Sequence, residues 1–152
     1  MDKISIVKEW LDFANRDISS ARYLLGMNPV PLEIICYHCE QAAEKALKGY
    51  LIHQDFEPLR THDLRLLCKM CADIDKTFDT ISQSCVKLTP YGVQPRYPFE
   101  IEILDSDMQK AVVDADYVMN FVLQKLQLTE EIALEDDEQE DQQKSTAEQQ
   151  LT

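Results

Sequence analysis

Glycine is scarce in this 152-residue chain. Gly26, Gly49 and Gly92 are the only three, and none lies near another. A Walker-type phosphate loop and a dinucleotide-binding turn both need clustered glycines so that the backbone can approach phosphate, and both are therefore excluded. No apolar run reaches the ~20 residues that cross a bilayer, so no membrane partner is expected. Residues 1–10 carry Asp2, Lys3, Lys8 and Glu9 among their apolar side chains and do not read as a secretory signal, which makes a cytoplasmic location the expectation. Five cysteines, an odd number, fit a disulfide framework poorly and are expected to stay reduced. Positive charge is short as well: 15 Lys and Arg stand against 28 Asp and Glu, a net charge of −13. Such a chain repels phosphate at long range, so any contact with nucleic acid has to come from a few placed residues.

What is present is a globular composition, 45% hydrophobic, of a length that buries one core. Residues 1–127 read as a single helical domain. The remaining 128–152 hold nine acidic residues against Lys144 alone and are rich in glutamine, which predicts a solvated, mobile extension or a frayed helical continuation. Within the body, Ile4, Val7, Leu11, Ala14, Ile18, Ala21 and Leu25 recur at spacings of three and four, one apolar stripe of a long helix that Gly26 and Asn28-Pro29 end. A second helix is expected from about Pro31 to His53, with Ile35, Cys39, Ala42, Ala43, Ala46 and Tyr50 buried and its alanines permitting a close helix–helix approach. Thr61 is the expected N-cap of a short helix reaching about Ala72. Ile74, Phe78, Ile81, Cys85 and Leu88 predict another helix, and Pro90, Gly92, Pro95 and Pro98 make 89–104 a long loop. Met108, Val112, Ala115, Met119, Val122 and Leu126 mark a last helix capped by Asp105 or Ser106. No segment sustains a period of two. The expectation is an all-α, up-and-down bundle of four main helices plus a short one.

Four stretches in order carry a family resemblance. They are Trp10 with Ala14-Asn15-Arg16-Asp17 in the first helix, Cys39-Glu40-Gln41-Ala42-Ala43-Glu44-Lys45-Ala46-Leu47-Lys48 in the second, Thr61-His62-Asp63-Leu64 at a turn, and Arg96-Tyr97-Pro98 before the last helix. Together they resemble the HEPN family of nucleotide-binding helical domains over roughly residues 1–127. The resemblance implies a helical bundle that pairs into a homodimer, association with nucleotides or RNA, and a minimal nucleotidyltransferase as separate partner protein, in the manner of a toxin–antitoxin module. Many such proteins are metal-independent ribonucleases that place a histidine four to six residues after an arginine. Here no histidine follows Arg16, Arg22, Arg60, Arg65 or Arg96 at that distance. The resemblance therefore implies binding without the usual catalytic spacing and without a cofactor.

The residues themselves offer a ligand site in three places. Lys45 and Lys48 lie three apart and share a helix face, where Glu44–Lys48 also reads as an ordinary surface pair. His62 stands at a helix start, whose free N–H groups favour an anion, or else orients the turn. Arg96 and Tyr97 offer a phosphate fork and a stacking ring, or a clamp on the loop. Two alternatives stand beside the binding module: a divergent ribonuclease using His62 and Arg96 brought together by the fold, and a helical dimeric scaffold without ligand, to which Trp10 and Phe13 beside the first stripe would contribute apolar surface. Cys36-x-x-Cys39 and Cys68-x-x-Cys71 have the spacing of a zinc site. Both pairs fall inside helical stripes with no glycine nearby, so they are read as core residues and no metal is expected.

Overall fold

The computed structural model describes residues 2–57, 59–92 and 102–150, without the side chains of 128–143, 147, 148 and 150. Five α-helices follow one another, α1 (Lys3–Leu24), α2 (Leu32–His53), α3 (Leu64–Ile74), α4 (Ser82–Leu88) and α5 (Asp105–Gln150). Two 3₁₀ turns flank α4, at Lys76–Ile81 and Thr89–Gly92, and there is no strand among the described residues. The chain is an all-α bundle, as its periodicity predicts.

Local chemistry sets the boundaries. Asp2 caps α1 by accepting from the Ser5 amide at 2.8 Å. Past the end of α2, Asp55 adopts a left-handed φ of 69°, a conformation that the short polar side chain of aspartate tolerates, and Lys3 Nζ meets its carboxylate at 3.1 Å. Three expectations need correction. The cap of α3 is Asp63, which accepts from the Arg65 amide at 3.0 Å, while Thr61 Oγ1 accepts from the Asp63 amide at 3.2 Å and so builds the turn before the helix. The helix expected over 74–88 is split: Asp75 accepts from Thr77 N at 3.0 Å and Thr77 Oγ1 at 2.7 Å, starting a tight turn before α4. Alternating spacings of three and four suit either helix type, so the buried Phe78 and Ile81 could not separate them. At α5 neither Asp105 nor Ser106 is the cap. The Leu104 carbonyl accepts from the Asp107 amide at 3.0 Å and the Leu104 amide donates to Asp107 Oδ2 at 2.9 Å, a reciprocal pair that places Leu104 at the cap.

The chain forms two compact units, 1–122 and 123–152. In the second, the backbone is helical through Gln150. In the first, α2 is the central helix, buried along most of its length from Ile35 to Ile52. Val7, Ala14, Ile18 and Ala21 of α1 pack on it, and Gly49 permits a close approach, since a Cβ there would stand 3.4 Å from Trp10 Cβ. Phe78 fills the other side, between Tyr50 at 4.5 Å and Phe121 at 5.0 Å from ring centre to ring centre. All five cysteines are buried free thiols. Burial pushes Cys36 and Cys39 up to about 12, so both are held as neutral thiols in the core. Cys68 donates to the Phe78 carbonyl at 3.5 Å.

Candidate functional site

A central helix that touches apolar neighbours all round should carry apolar side chains all round. Instead α2 repeats Cys36, Glu40, Glu44 and Lys48 at four-residue spacing, one row of a helix face, and the structure buries all four. Burial of charge requires partners, and they come from α1 and from the turn before α3.

Two polar chains result. In one, Asp17 of α1 accepts from Lys45 Nζ at 2.5 Å and bonds His38 Nδ1 at 2.8 Å. In the other, Glu44 Oε1 bonds His62 Nδ1 at 2.5 Å and stands 3.7 Å from Lys48 Nζ. The His62 side chain is 75% exposed while that of Glu44 is 4% exposed, so a buried carboxylate holds an exposed ring by one nitrogen and leaves Nε2 toward solvent. His62 borders a cleft of about 450 Å³ whose lining includes Tyr37 and Gln41 of α2, Arg65 of α3 and Gly92 of the 89–92 turn. Arg65 Nε is itself 3.3 Å from Asp63 Oδ1. Aromatic, amide and cationic groups thus meet around a space of nucleotide size.

Lys45 belongs elsewhere. It lines a different groove of about 440 Å³ with Glu9, Trp10 and Phe13, and its ammonium stands 5.9 Å from the Phe13 ring centre. Lys48 lines neither groove. It is buried, 5.8 Å from the Trp10 ring centre, so its pair with Glu44 is an interior one and not the surface pair that i,i+4 spacing also allows. Of the expected ligand residues, then, Lys48 and His62 share one carboxylate, Lys45 answers to another, and Arg96 and Tyr97 lie outside the described residues.

Sequence reading missed Glu40, Glu44, Asp17, Gln41 and Arg65. A signal for the two glutamates was present: they sit four and eight residues after Cys36 in a helix whose neighbouring positions were already assigned to the core. Glu40 is fully buried, with Oε2 accepting from Gln41 Nε2 at 2.8 Å. Burial foremost, with Glu44 nearby and against the opposing Gln41 bond, pushes its carboxyl up to about 8, so it holds its proton at neutral pH.

With this geometry in hand, the likeness to known proteins has physical content. The family model of the HEPN domain matches residues 7–126. The crystal structure of an archaeal HEPN homologue is 26% identical, covering 78% of this chain and 96% of that one with a TM-score of 0.61. That of TT1696 from Thermus thermophilus is 22% identical with a TM-score of 0.65, covering 78% and 97%, and bears on the fold alone. No curated protein matches the chain.

Proposed function

The chain belongs to the HEPN domain family, whose members are nucleotide- and RNA-associated, and from that premise we propose that it binds a nucleotide or an RNA end in the cleft at His62. The observation that carries this reading is the 2.5 Å bond from buried Glu44 to His62 Nδ1, which presents Nε2 at the rim of a cleft shared with Tyr37, Gln41 and Arg65. A phosphate meets His62 and Arg65, and a base lies against Tyr37 and Gln41. Lys48 acts from behind by matching the charge of Glu44, and Lys45 offers a cation beside Trp10 and Phe13 for a chain longer than one nucleotide. Arg96 and Tyr97 remain part of the proposal as a phosphate fork and a stacking ring. The protein works as a homodimer with a minimal nucleotidyltransferase as its partner in a toxin–antitoxin-like module.

Thermal shift with ATP, GTP and a short RNA tests the site. At least one of them raises the melting temperature of the wild type by several degrees, and His62→Ala loses that shift while Lys45→Ala reduces it only for RNA. No shift with any of the three overturns the binding reading and leaves the dimeric scaffold. Light scattering that finds only monomer at micromolar concentration removes the homodimer. The same Glu44–His62 bond favours a second reading, cleavage of RNA with His62 as the acid–base group and Arg96 on the phosphate, because a histidine steered by a carboxylate is arranged for proton transfer at its other nitrogen. Labelled RNA cut by the wild type and left intact by both His62→Ala and Arg96→Ala supports that reading over simple binding.

A further inference from the structure

Glu40 is fully buried, and while Gln41 satisfies Oε2, Oε1 has no hydrogen-bond partner among the described residues. The face of its carboxyl is covered by Gly92. A Cβ built on that glycine would stand 3.0 Å from Glu40 Cδ and 3.1 Å from each carboxyl oxygen, so a bare backbone rests directly on the carboxyl group. Gly92 ends the 3₁₀ turn Thr89–Gly92, whose hydrogen bonding is weaker than that of an α-helix and whose start is tied down by Thr89 Oγ1 donating to the Cys85 carbonyl at 2.8 Å. Thr89, Pro90 and Gly92 also line the His62 cleft.

This seat suits a neutral carboxyl and not a carboxylate. The groups acting on Glu40 are Glu44 and Lys48 on its own helix and Asp17 on α1, two anions against one cation, and Lys48 is already shared with Glu44. On the other elements packed on α2, His62 before α3 is bonded to Glu44, while Lys87 of α4 and Tyr91 of the turn line a separate groove with Asp107 and Asp114. None of them donates to Oε1. Among the described residues an ion formed here has one hydrogen bond, from Gln41, and the Gly92 backbone rests on the carboxyl where water would have to enter.

We propose that Glu40 is a proton-operated latch beneath the 89–92 turn. With the proton on, Gly92 rests on the carboxyl and the cleft keeps its wall. When the O–H bond breaks and the proton passes to solvent, the carboxylate draws water to Oε1 and the Gly92 end of the turn lifts about its Thr89 anchor. The lift changes the cleft at which a nucleotide would bind, a consequence that rests on the binding reading; the latch itself does not.

The test uses the full-length, ligand-free protein. Carbon-13 NMR follows the Glu40 carboxyl, and hydrogen exchange follows the Tyr91 and Gly92 amides at pH 6.5 and 8.8 after correction for intrinsic rates. The carboxyl titrates near pH 8, and protection of the two amides falls at least tenfold between the two pH values in the wild type but not in Glu40→Gln. An ordinary carboxylate titration, unchanged protection in the wild type, or equal loss in the variant overturns the latch. Should Glu40→Gln fail to fold, the two wild-type readings decide alone. Nucleotide-induced thermal shift at the same two pH values separates the claims: a shift at pH 6.5 lost at 8.8 supports the link to the cleft, an equal shift at both refutes that link, and no shift at either refutes nucleotide binding while the exchange data still judge the latch.

Discussion

Glu44 and Glu40 stand one turn apart on the same face of α2 and are both closed to solvent. Around Glu44 the fold has gathered a lysine from the next turn and a histidine from another segment, and the carboxylate serves as a shared anchor. Around Glu40 it has gathered one amide and a glycine backbone, and the carboxyl keeps its proton. Identical side chains on one helix face therefore meet different surroundings: Glu44 has Lys48 of its own helix and His62 from another segment, while Glu40 has Gln41 of its own helix and the Gly92 backbone. Burial sets the cost of charge, and partners decide whether that cost is met.

The most damaging way to break the comparison is to remove the anchored member. Glu44→Ala strands Lys48, a buried cation, and is expected to cost about 3–5 kcal/mol in chemical denaturation, with most of the loss recovered in Glu44→Ala/Lys48→Met. Additive losses in the two single variants would mean that the pair does not act as a unit. Glu40→Gln sharpens the other half through pH. An unfolded glutamate titrates near 4.5 and the folded one near 8. The stabilising proton is fully in place in both states below 4.5. Between 4.5 and 8 the unfolded chain loses it first, so wild-type stability falls as pH rises, levelling off above 8. Glu40→Gln lacks that fall, and by pH 8.5 it gains on the order of 2–4 kcal/mol over the wild type relative to their difference at pH 4.5. Parallel pH profiles for the two proteins would remove the contrast between the glutamates. Asp17→Asn is a smaller break. It weakens the hold on Lys45 and His38 at a partly open edge and is expected to cost about 1–3 kcal/mol. The smallest effect on stability falls to His62→Ala, within about 1 kcal/mol because the ring is 75% exposed, although the same change is expected to remove the proposed ligand binding. A large loss of stability there would make His62 a structural residue.

The helices were legible because apolar periodicity is a local property: the row Ile35, Cys39, Ala42, Ala46, Tyr50 is buried, as are Val7, Ala14, Ile18 and Ala21 of the first stripe, while Leu11 is half-buried and Ile4 and Leu25 at its ends are exposed. The ordered motifs around Glu44 and His62 were legible for the same reason, and they lead to the family. Helix starts were less so. Asp63 and Thr61 are both good caps two residues apart, and only the backbone path shows that Asp63 takes the Arg65 amide. The site was half legible. His62 could be singled out by its place before α3. Lys45 and Lys48 share a helix face in sequence, yet the roughly 60° between positions three apart sends one to Asp17 beside Phe13 and the other inward to Glu44. Spacing along a helix reports which side chains are neighbours on that helix and is silent about what packs against them.

By itself the sequence determined that the chain is helical, where its main helices lie and which apolar faces they bury, because those follow from hydrogen bonding and hydrophobic pattern within a few turns. Tertiary structure alone decided that Glu40 is buried beneath a backbone that leaves it neutral while Glu44 meets His62, that Lys45 and Lys48 part company, and that Gly92 lies on a carboxyl 52 positions away. Ionisation and pocket shape depend on distances of a few ångströms between segments far apart in the chain, and only packing sets those distances.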